Sequence, residues 1–331
     1  MIKDFLKSHP IHKSIAPYLD LVMIPRLTLF FCIWPMICVG MHIGSFINNS
    51  TNVNITVVDP LTSILFIGIT FIFSSISISN HIYDSDVDKI NEKTLIIDNY
   101  VSIEKARNIS KVLFAIGFLA IILVDYMILF PMIIMFLVCG RLYVSENLHL
   151  KTNSWMNFIF YFTIGYFSIL SGVFYKRYDS KIFELIAESL PYMLPFLLLS
   201  GSVVLAINIL DSNGDKISNR NTFALSLGVR PASALATLLS LCSLLIGLYL
   251  NEPLASVLSI SIIPFFLFLL ARGQNKDVVR SVRYPIVLLN FYVMMIYPLL
   301  FYPILITFYF TKYYYWHRFS LHYPTLLVDN D

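Results

Sequence analysis

The chain has 331 residues, of which 57% are hydrophobic and only 13% charged, with a formal net charge of +3. Soluble domains carry about a quarter charged residues, so this composition excludes a soluble globular protein and predicts an integral membrane protein. A positive balance this small and dispersed excludes nucleic acid as a partner.

The first stretch, about 20 residues, is polar and mixed, and the apolar segment after it is too long for a signal-peptide core. It reads as a short cytoplasmic extension before a retained first helix. A bilayer core takes about 20 apolar residues per helix. Segments of that kind fall at 21–46, 61–82, 111–127, 129–145, 154–174, 190–210, 231–250, 254–271 and 284–310. The third and fourth are divided only by Asp125 and Pro131. The expectation is an all-α integral membrane protein, a bundle of about nine transmembrane helices forming a single domain over 1–331. Cys32, Cys38, Cys139 and Cys242 lie inside apolar segments without metal-ligand spacing and read as reduced packing residues.

Basic residues set the orientation. With the N-terminus in the cytoplasm, most of the 23 Lys and Arg fall on inside segments. Lys176, Arg177, Lys181, Lys312 and Arg318 fall outside. The C-terminal run Tyr313-Tyr314-Tyr315-Trp316-His317-Arg318 reads as an interfacial aromatic belt.

Two acidic clusters then stand out, each closing a long apolar segment. The first is Asn80-His81-Ile82-Tyr83-Asp84-Ser85-Asp86-Val87-Asp88, and the second is Asn208-Ile209-Leu210-Asp211-Ser212-Asn213-Gly214-Asp215-Lys216. Carboxylates at the mouth of a hydrophobic span are costly unless compensated. The usual compensation is a hard divalent cation, and Mg2+ on a few carboxylates typically carries substrate phosphates. Asp84 and Asp88 are four apart and share a helix face, as do Asp211 and Asp215, whereas Asp86 points off that face. The orientation puts both clusters at the cytoplasmic side. The expected site is a two-metal diphosphate clamp over an apolar cavity.

The segment from Asn80 to Asp88 resembles the first signature of the UbiA superfamily of intramembrane prenyltransferases, with His81 where that family usually has Asp. Asp211 to Lys216 is similar to its second signature and continues through Asn221-Thr222 to Gly228, as that family's tail does. Tyr143-Val144-Ser145-Glu146-Asn147-Leu148-His149-Leu150-Lys151 is similar to a third. The resemblance implies Mg2+-dependent transfer of a prenyl group from an allylic prenyl diphosphate to an aromatic or other lipophilic acceptor. Asp84, Asp88, Asp211 and Asp215 would be the catalytic metal ligands, and Asn80, Lys89, Lys93, Tyr143, Lys151 and Lys216 would bind diphosphate. No protein partner is implied. After the first signature, the family's Arg-Pro-Leu stretch is missing from Asn91 to Asp98, its Arg-Pro pair appears inverted as Pro25-Arg26, and Glu146 stands where Pro is common.

Other readings remain at this stage. Asn80 and Asn208 suit polar contacts between helices, Lys151 a snorkelling lysine, Tyr143 a belt residue, and Thr222 a loop-shaping role. For function, a UbiA-like terpene cyclase would use the same cation without an acceptor. An ion-coupled transporter would use intramembrane carboxylates, but near the midplane rather than at helix ends.

Overall fold

In a bilayer every backbone N–H and C=O of an apolar run must be satisfied within the protein, which leaves the helix as the solution for single segments. The computed structural model describes residues 9–47, 59–85, 88, 97, 100–145, 148, 150–176, 182–217 and 221–325, with Lys151 as backbone only. Most of these residues are helical, with an isolated bridge between Ile97 and Val101. In chain order, α1 is Pro10–Met23. A 3-10 turn Leu27–Leu29 then leads into α2, Phe30–Ile47. Helices α3 and α4 are Pro60–Tyr83 and Ile103–Val124. A composite segment follows, made of a 3-10 turn Tyr126–Ile128, α5 Leu129–Leu137 and a π-helical turn Val138–Leu142. After a 3-10 turn Leu150–Thr152 come α6 Ser154–Lys176, α7 Ile182–Leu210, and the short α8 Ser212–Ile217 and α9 Phe223–Leu227. The chain continues through α10 Val229–Tyr249, α11 Pro253–Arg272, α12 Asn275–Ile296 and α13 Phe301–Phe319. Eight of these segments are long and apolar enough to cross a membrane, and Tyr126–Leu142 is a shorter apolar one.

Local chemistry sets the ends. Asp59 caps α3, accepting from the Leu61 amide at 3.1 Å ahead of Pro60 at the first helical position. The Tyr175 hydroxyl of α6 donates to the other Asp59 oxygen at 2.8 Å, which ties these two helix ends together. Asp125 leaves the helix with an extended backbone, and its carboxylate accepts from the Met127 amide at 2.8 Å. It therefore divides the third segment from the fourth.

Helices α4, α7 and α12 begin eight or nine residues before the expected spans, at Ile103, Ile182 and Asn275, and two spans expected as continuous are broken. The first span does not run on from residue 21, because the chain turns a corner at Pro25-Arg26, where Arg26 adopts φ 55°. The last, expected over 284–310, is divided at Tyr297–Leu300. Tyr297 leaves the helix at φ −122°, ψ 74°, and Pro298 opens a 3-10 turn. Helix α13 then returns to α1. The Tyr314 hydroxyl donates to Asp20 at 2.7 Å, and Arg318 pairs with the other Asp20 oxygen at 2.8 Å. Tyr314 and Tyr315 are buried there, while Tyr313 is exposed. The aromatic run is thus a docking face for α1 more than a lipid belt. Arg318 lies at the N-terminal end of the bundle, not at the opposite face.

The core packs α2 on α6, α3 on α4, α7 on α10, and α10 on α11, with α12 closing onto α7 and α2. The α2–α6 crossing is a backbone contact. A Cβ at Gly40 would strike the Ile169 carbonyl, and one at Gly172 the Ile37 carbonyl. Small residues at such crossings are how membrane helices gain packing where lipid removes the hydrophobic drive. The four cysteines are unpaired thiols.

Gly172→Ala and Gly40→Ala should each destabilise the purified chain by roughly 1–3 kcal/mol or more through overpacking. Gly165→Ala, whose nearest contacts would be 3.6 and 3.9 Å away, should be tolerated. Thermal unfolding followed by size exclusion checks this, and a Gly172→Ala chain that melts with the parent would rule out the close crossing.

Candidate active site

The two acidic pairs have the same backbone construction. The Asp84 amide donates to the Asn80 carbonyl at 2.9 Å, and the Asp88 amide to the Asp84 carbonyl at 2.8 Å. The Asp211 amide donates to Ile207 at 2.9 Å, and the Asp215 amide to Asp211 at 3.1 Å. Each apolar helix therefore carries its four-residue spacing past its end, and each pair of carboxylates shares a face. Asp84, Asp88 and Asp215 are 8%, 4% and 5% exposed, and Asp211 is half-buried. A buried carboxylate needs a cation or several donors.

For Asp88 that cation is Arg26, whose guanidinium pairs with its Oδ2. In the sequence Arg26 stands out only through the inverted Pro25-Arg26 pair. Its role was hidden because Arg26 and Asp88 are 62 positions apart. The same corner is held from α3 by two further side chains. The Ser77 hydroxyl donates to the Pro25 carbonyl at 2.8 Å, and His81 Nδ1 donates to the Ile24 carbonyl at 3.3 Å. His81 thus fixes the end of α1.

A chain of contacts brings the three signature regions to one end of the bundle. Gly140 lies against Ile76 of α3. Tyr143, just past the π-turn, stacks on Phe160 of α6 with centroids 3.9 Å apart. It is buried, which sets aside the belt reading. At the start of α6, Trp155 meets Phe223 edge-on at 5.0 Å, and Ser154 Oγ lies 3.5 Å from Ser226 Oγ in the tail of the second signature. Gly228, which closes that tail, has φ 92°, a region that favours glycine.

Buried polar atoms without hydrogen-bond partners among the described residues mark the same end. They are Asn208 Nδ2, Thr222 Oγ1 and His81 Nε2, together with Asn157 Oδ1 one turn into α6. Buried polar groups are normally satisfied, so orphans at a polar helix end point to a ligand. Asn157 was not singled out from the sequence, although a polar residue inside an apolar span was signal enough. Lys216 is exposed beside buried Asp215. Lys89, Lys93 and Asp86 lie outside the described residues, as does the Lys151 side chain, whose backbone sits in the turn before α6.

Among the described residues no three acid, histidine or cysteine side chains form a ready-made metal cage. The donor set is two separate pairs of hard oxygen ligands. That suits Mg2+, which keeps several waters and is held by one or two carboxylates together with substrate phosphates.

Residues 33–290 match the UbiA prenyltransferase family. A curated relative, digeranylgeranylglyceryl phosphate synthase from Saccharolobus solfataricus, is 30% identical over 170 residues, 51% of this chain and 57% of the relative. The chain thus spans little more than half the length of that relative. The solved structure of a UbiA homolog from Archaeoglobus fulgidus bound to GPP and Mg2+ superposes with a TM-score of 0.62 at 14% identity, covering 84% of this chain and 99% of that one. A UbiA homolog from Archaeoglobus fulgidus bound to DMAPP and Mg2+ gives 0.56 at 13% identity, covering 81% and 98%. At these identities the two structures speak to the fold, and the match over most of the sequence speaks to descent: the chain belongs to the UbiA prenyltransferase family.

Proposed function

We propose that this membrane protein transfers a prenyl group from an allylic prenyl diphosphate to a lipophilic acceptor, in a Mg2+-dependent reaction at the cytoplasmic face. The observation that carries the reading is the pair of Asp-x3-Asp sites, each continuing an apolar helix past its end with buried carboxylates. Placement at helix ends, away from the midplane, separates this site from a transporter's.

Asp84 and Asp88 would hold one cation and Asp211 and Asp215 another. The bound Mg2+ supplies charge that neutralises the leaving diphosphate. Asn80, Asn208 and Lys216, with Lys89, Lys93 and Lys151, would orient the diphosphate oxygens as donors or point charges. The allylic C–O bond breaks with its electron pair going to diphosphate. The acceptor's nucleophilic atom bonds the allylic carbon and loses a proton. The apolar helices would exclude water and aromatic faces along them would favour the cation, while Tyr143, held by its stack on Phe160, would add its hydroxyl to the diphosphate site. The acceptor class is open to two chemistries. An aromatic ring suits the family resemblance, and the name of the Saccharolobus relative specifies a glyceryl phosphate bearing geranylgeranyl groups.

The test is incubation of the purified chain in lipid with labelled geranyl, farnesyl and geranylgeranyl diphosphates. The acceptors are aromatic quinone precursors and a geranylgeranylglyceryl phosphate, with products read by mass spectrometry. A prenylated acceptor formed with Mg2+ and lost in EDTA is expected. A cyclic hydrocarbon or alcohol formed without acceptor would establish the cyclase instead, and turnover surviving full chelation would remove the metal from the mechanism.

Asp84→Ala, Asp88→Ala, Asp211→Ala and Asp215→Ala should each lower turnover on the order of a hundredfold or more, the usual cost of removing a transition-state charge stabiliser. Asp86→Ala should be milder. Equal severity at Asp86 would show an extended metal loop in place of a shared helical face.

Arg26→Gln should lower kcat/KM at least about tenfold, since a charge-assisted partner of a buried carboxylate is lost, while the Mg2+ requirement persists. Unchanged kinetics with a lowered melting temperature would make Arg26 a clip for the α1–α2 corner alone.

A further inference from the structure

A second polar site lies behind α3, on the side away from the carboxylates. A cavity of about 330 Å3 opens between α3, α4 and the π-helical turn at Val138–Leu142. Three cations line it: Arg107 and Lys111 of α4 and Arg141 of the π-turn. All three are exposed, and none makes an ion pair among the described residues. Arg107 and Lys111 stand four apart on one helix, a like-charge spacing that destabilises an isolated helix. Glu104, one turn before Arg107, is the acidic residue in the first turn of α4, and among the described residues it forms no ion pair with these cations.

The remaining walls explain why the charge faces outward. Ser110 donates to the Ser75 carbonyl at 3.0 Å and lies 2.9 Å from Ser75 Oγ, while Ser79 donates to the same Ser75 carbonyl at 2.9 Å. The serines are thereby occupied in joining α3 to α4, and the cations are left as the groups available to a ligand. Below them the wall turns apolar. Phe114 and Phe136 meet with centroids 3.9 Å apart, and the Arg141 guanidinium lies 5.4 Å from the Phe136 ring centroid. The same side of α4 continues with Phe118, which meets Phe114 with centroids 6.0 Å apart, and with exposed Ile122 one turn further. Helix α4 is the least buried of the membrane-length helices, with 17% of its apolar window inside the protein.

We propose that this groove binds the phosphate headgroup of an anionic phospholipid of the surrounding bilayer. The three cations would take the phosphate, and an acyl chain would lie along Phe136, Phe114 and Phe118. Basic pockets between membrane helices recognise anionic headgroups by this chemistry, and arginine adds a forked donor set matched to phosphate. A free phosphate ion would use the same cations, but it would leave the apolar half of the groove uncovered. The site is separate from the proposed reaction centre. Ser75 and Asp84 are nine positions apart, roughly half a turn around the helix axis at 3.6 residues per turn, so the thickness of α3 stands between them.

The test uses the full chain in detergent micelles and nanodiscs, titrated with phosphatidylglycerol, phosphatidylcholine or inorganic phosphate. Retained lipid is read by native mass spectrometry, and stabilisation by thermal unfolding. Phosphatidylglycerol is expected to bind and raise the melting temperature, phosphatidylcholine to do so far more weakly, and inorganic phosphate to compete only at much higher concentration. The Arg107→Gln/Lys111→Gln/Arg141→Gln variant should lose affinity for phosphatidylglycerol roughly fivefold per cation, on the order of a hundredfold in all. Arg230→Gln, at an exposed cation elsewhere, should not. Should the triple variant fail to fold, Lys111→Gln alone is informative. Without lipid it should melt no lower than the parent, because a like-charge pair is relieved, yet it should gain less from phosphatidylglycerol. Equal binding of phosphatidylcholine, full retention by the variants, or phosphate binding as tightly as lipid would each overturn the assignment.

Discussion

The ion pair between Arg26 and Asp88 is the interaction on which this end of the bundle depends. It offsets a left-handed backbone at Arg26, which costs on the order of 1–2 kcal/mol at a non-glycine residue, and it gives a carboxylate only 4% exposed a guanidinium. With it, the corner between α1 and α2 is locked to the first acidic pair. The lock has two further points. The carbonyls of Ile24 and Pro25, freed where α1 ends, are taken up by His81 and Ser77. These two side chains are four apart and stand on one face of α3. The site is therefore held by the N-terminal helix although that helix contributes no carboxylate to it. His81 standing where the family usually has Asp also gains a physical reason: a ring N–H can donate to a free carbonyl at a helix C-terminus, and a carboxylate cannot.

How much of this was legible depended on whether the signal was local. Apolar length gave the helices, because lipid leaves the backbone no alternative. The i,i+4 spacing of Asp84 and Asp88 and of Asp211 and Asp215 gave the shared faces, because helical periodicity is a local property. What failed was everything set by distant partners. Tyr314 and Arg318 read as an interfacial belt because their partner, Asp20, lies 294 and 298 positions away. Arg26 was invisible as a partner of Asp88 for the same reason. The division of 284–310 had a local cue, Pro298, but prolines are tolerated inside membrane helices, as Pro191 and Pro195 within α7 demonstrate. A proline alone does not tell a break from a kink. Asn157 and Thr222 are a third kind of case. Their polarity inside or beside apolar runs was plain, yet only burial without a partner distinguishes them from ordinary contacts between helices.

The last turns of α3 concentrate these demands in one helix. Asn80, Asp84, Ser77 and His81 share one broad side of the helix, since Ser77 is seven positions from Asp84, and Ser75 and Ser79 lie opposite. Polar groups buried within an apolar helix need partners. On the first side the end of α1 takes Ser77 and His81, Arg26 takes Asp88, and the proposed reaction would bring cation and diphosphate to the carboxylates. On the opposite side Ser75 meets Ser110 of α4. The first side thus joins the corner of α1 and α2 directly to the carboxylates, so a change at that corner reaches the site through α3 itself. The same division accounts for a headgroup site on the α4 side: the proposed substrate and the α1 corner occupy one side of α3, and the groove with Arg107, Lys111 and Arg141 opens on the other.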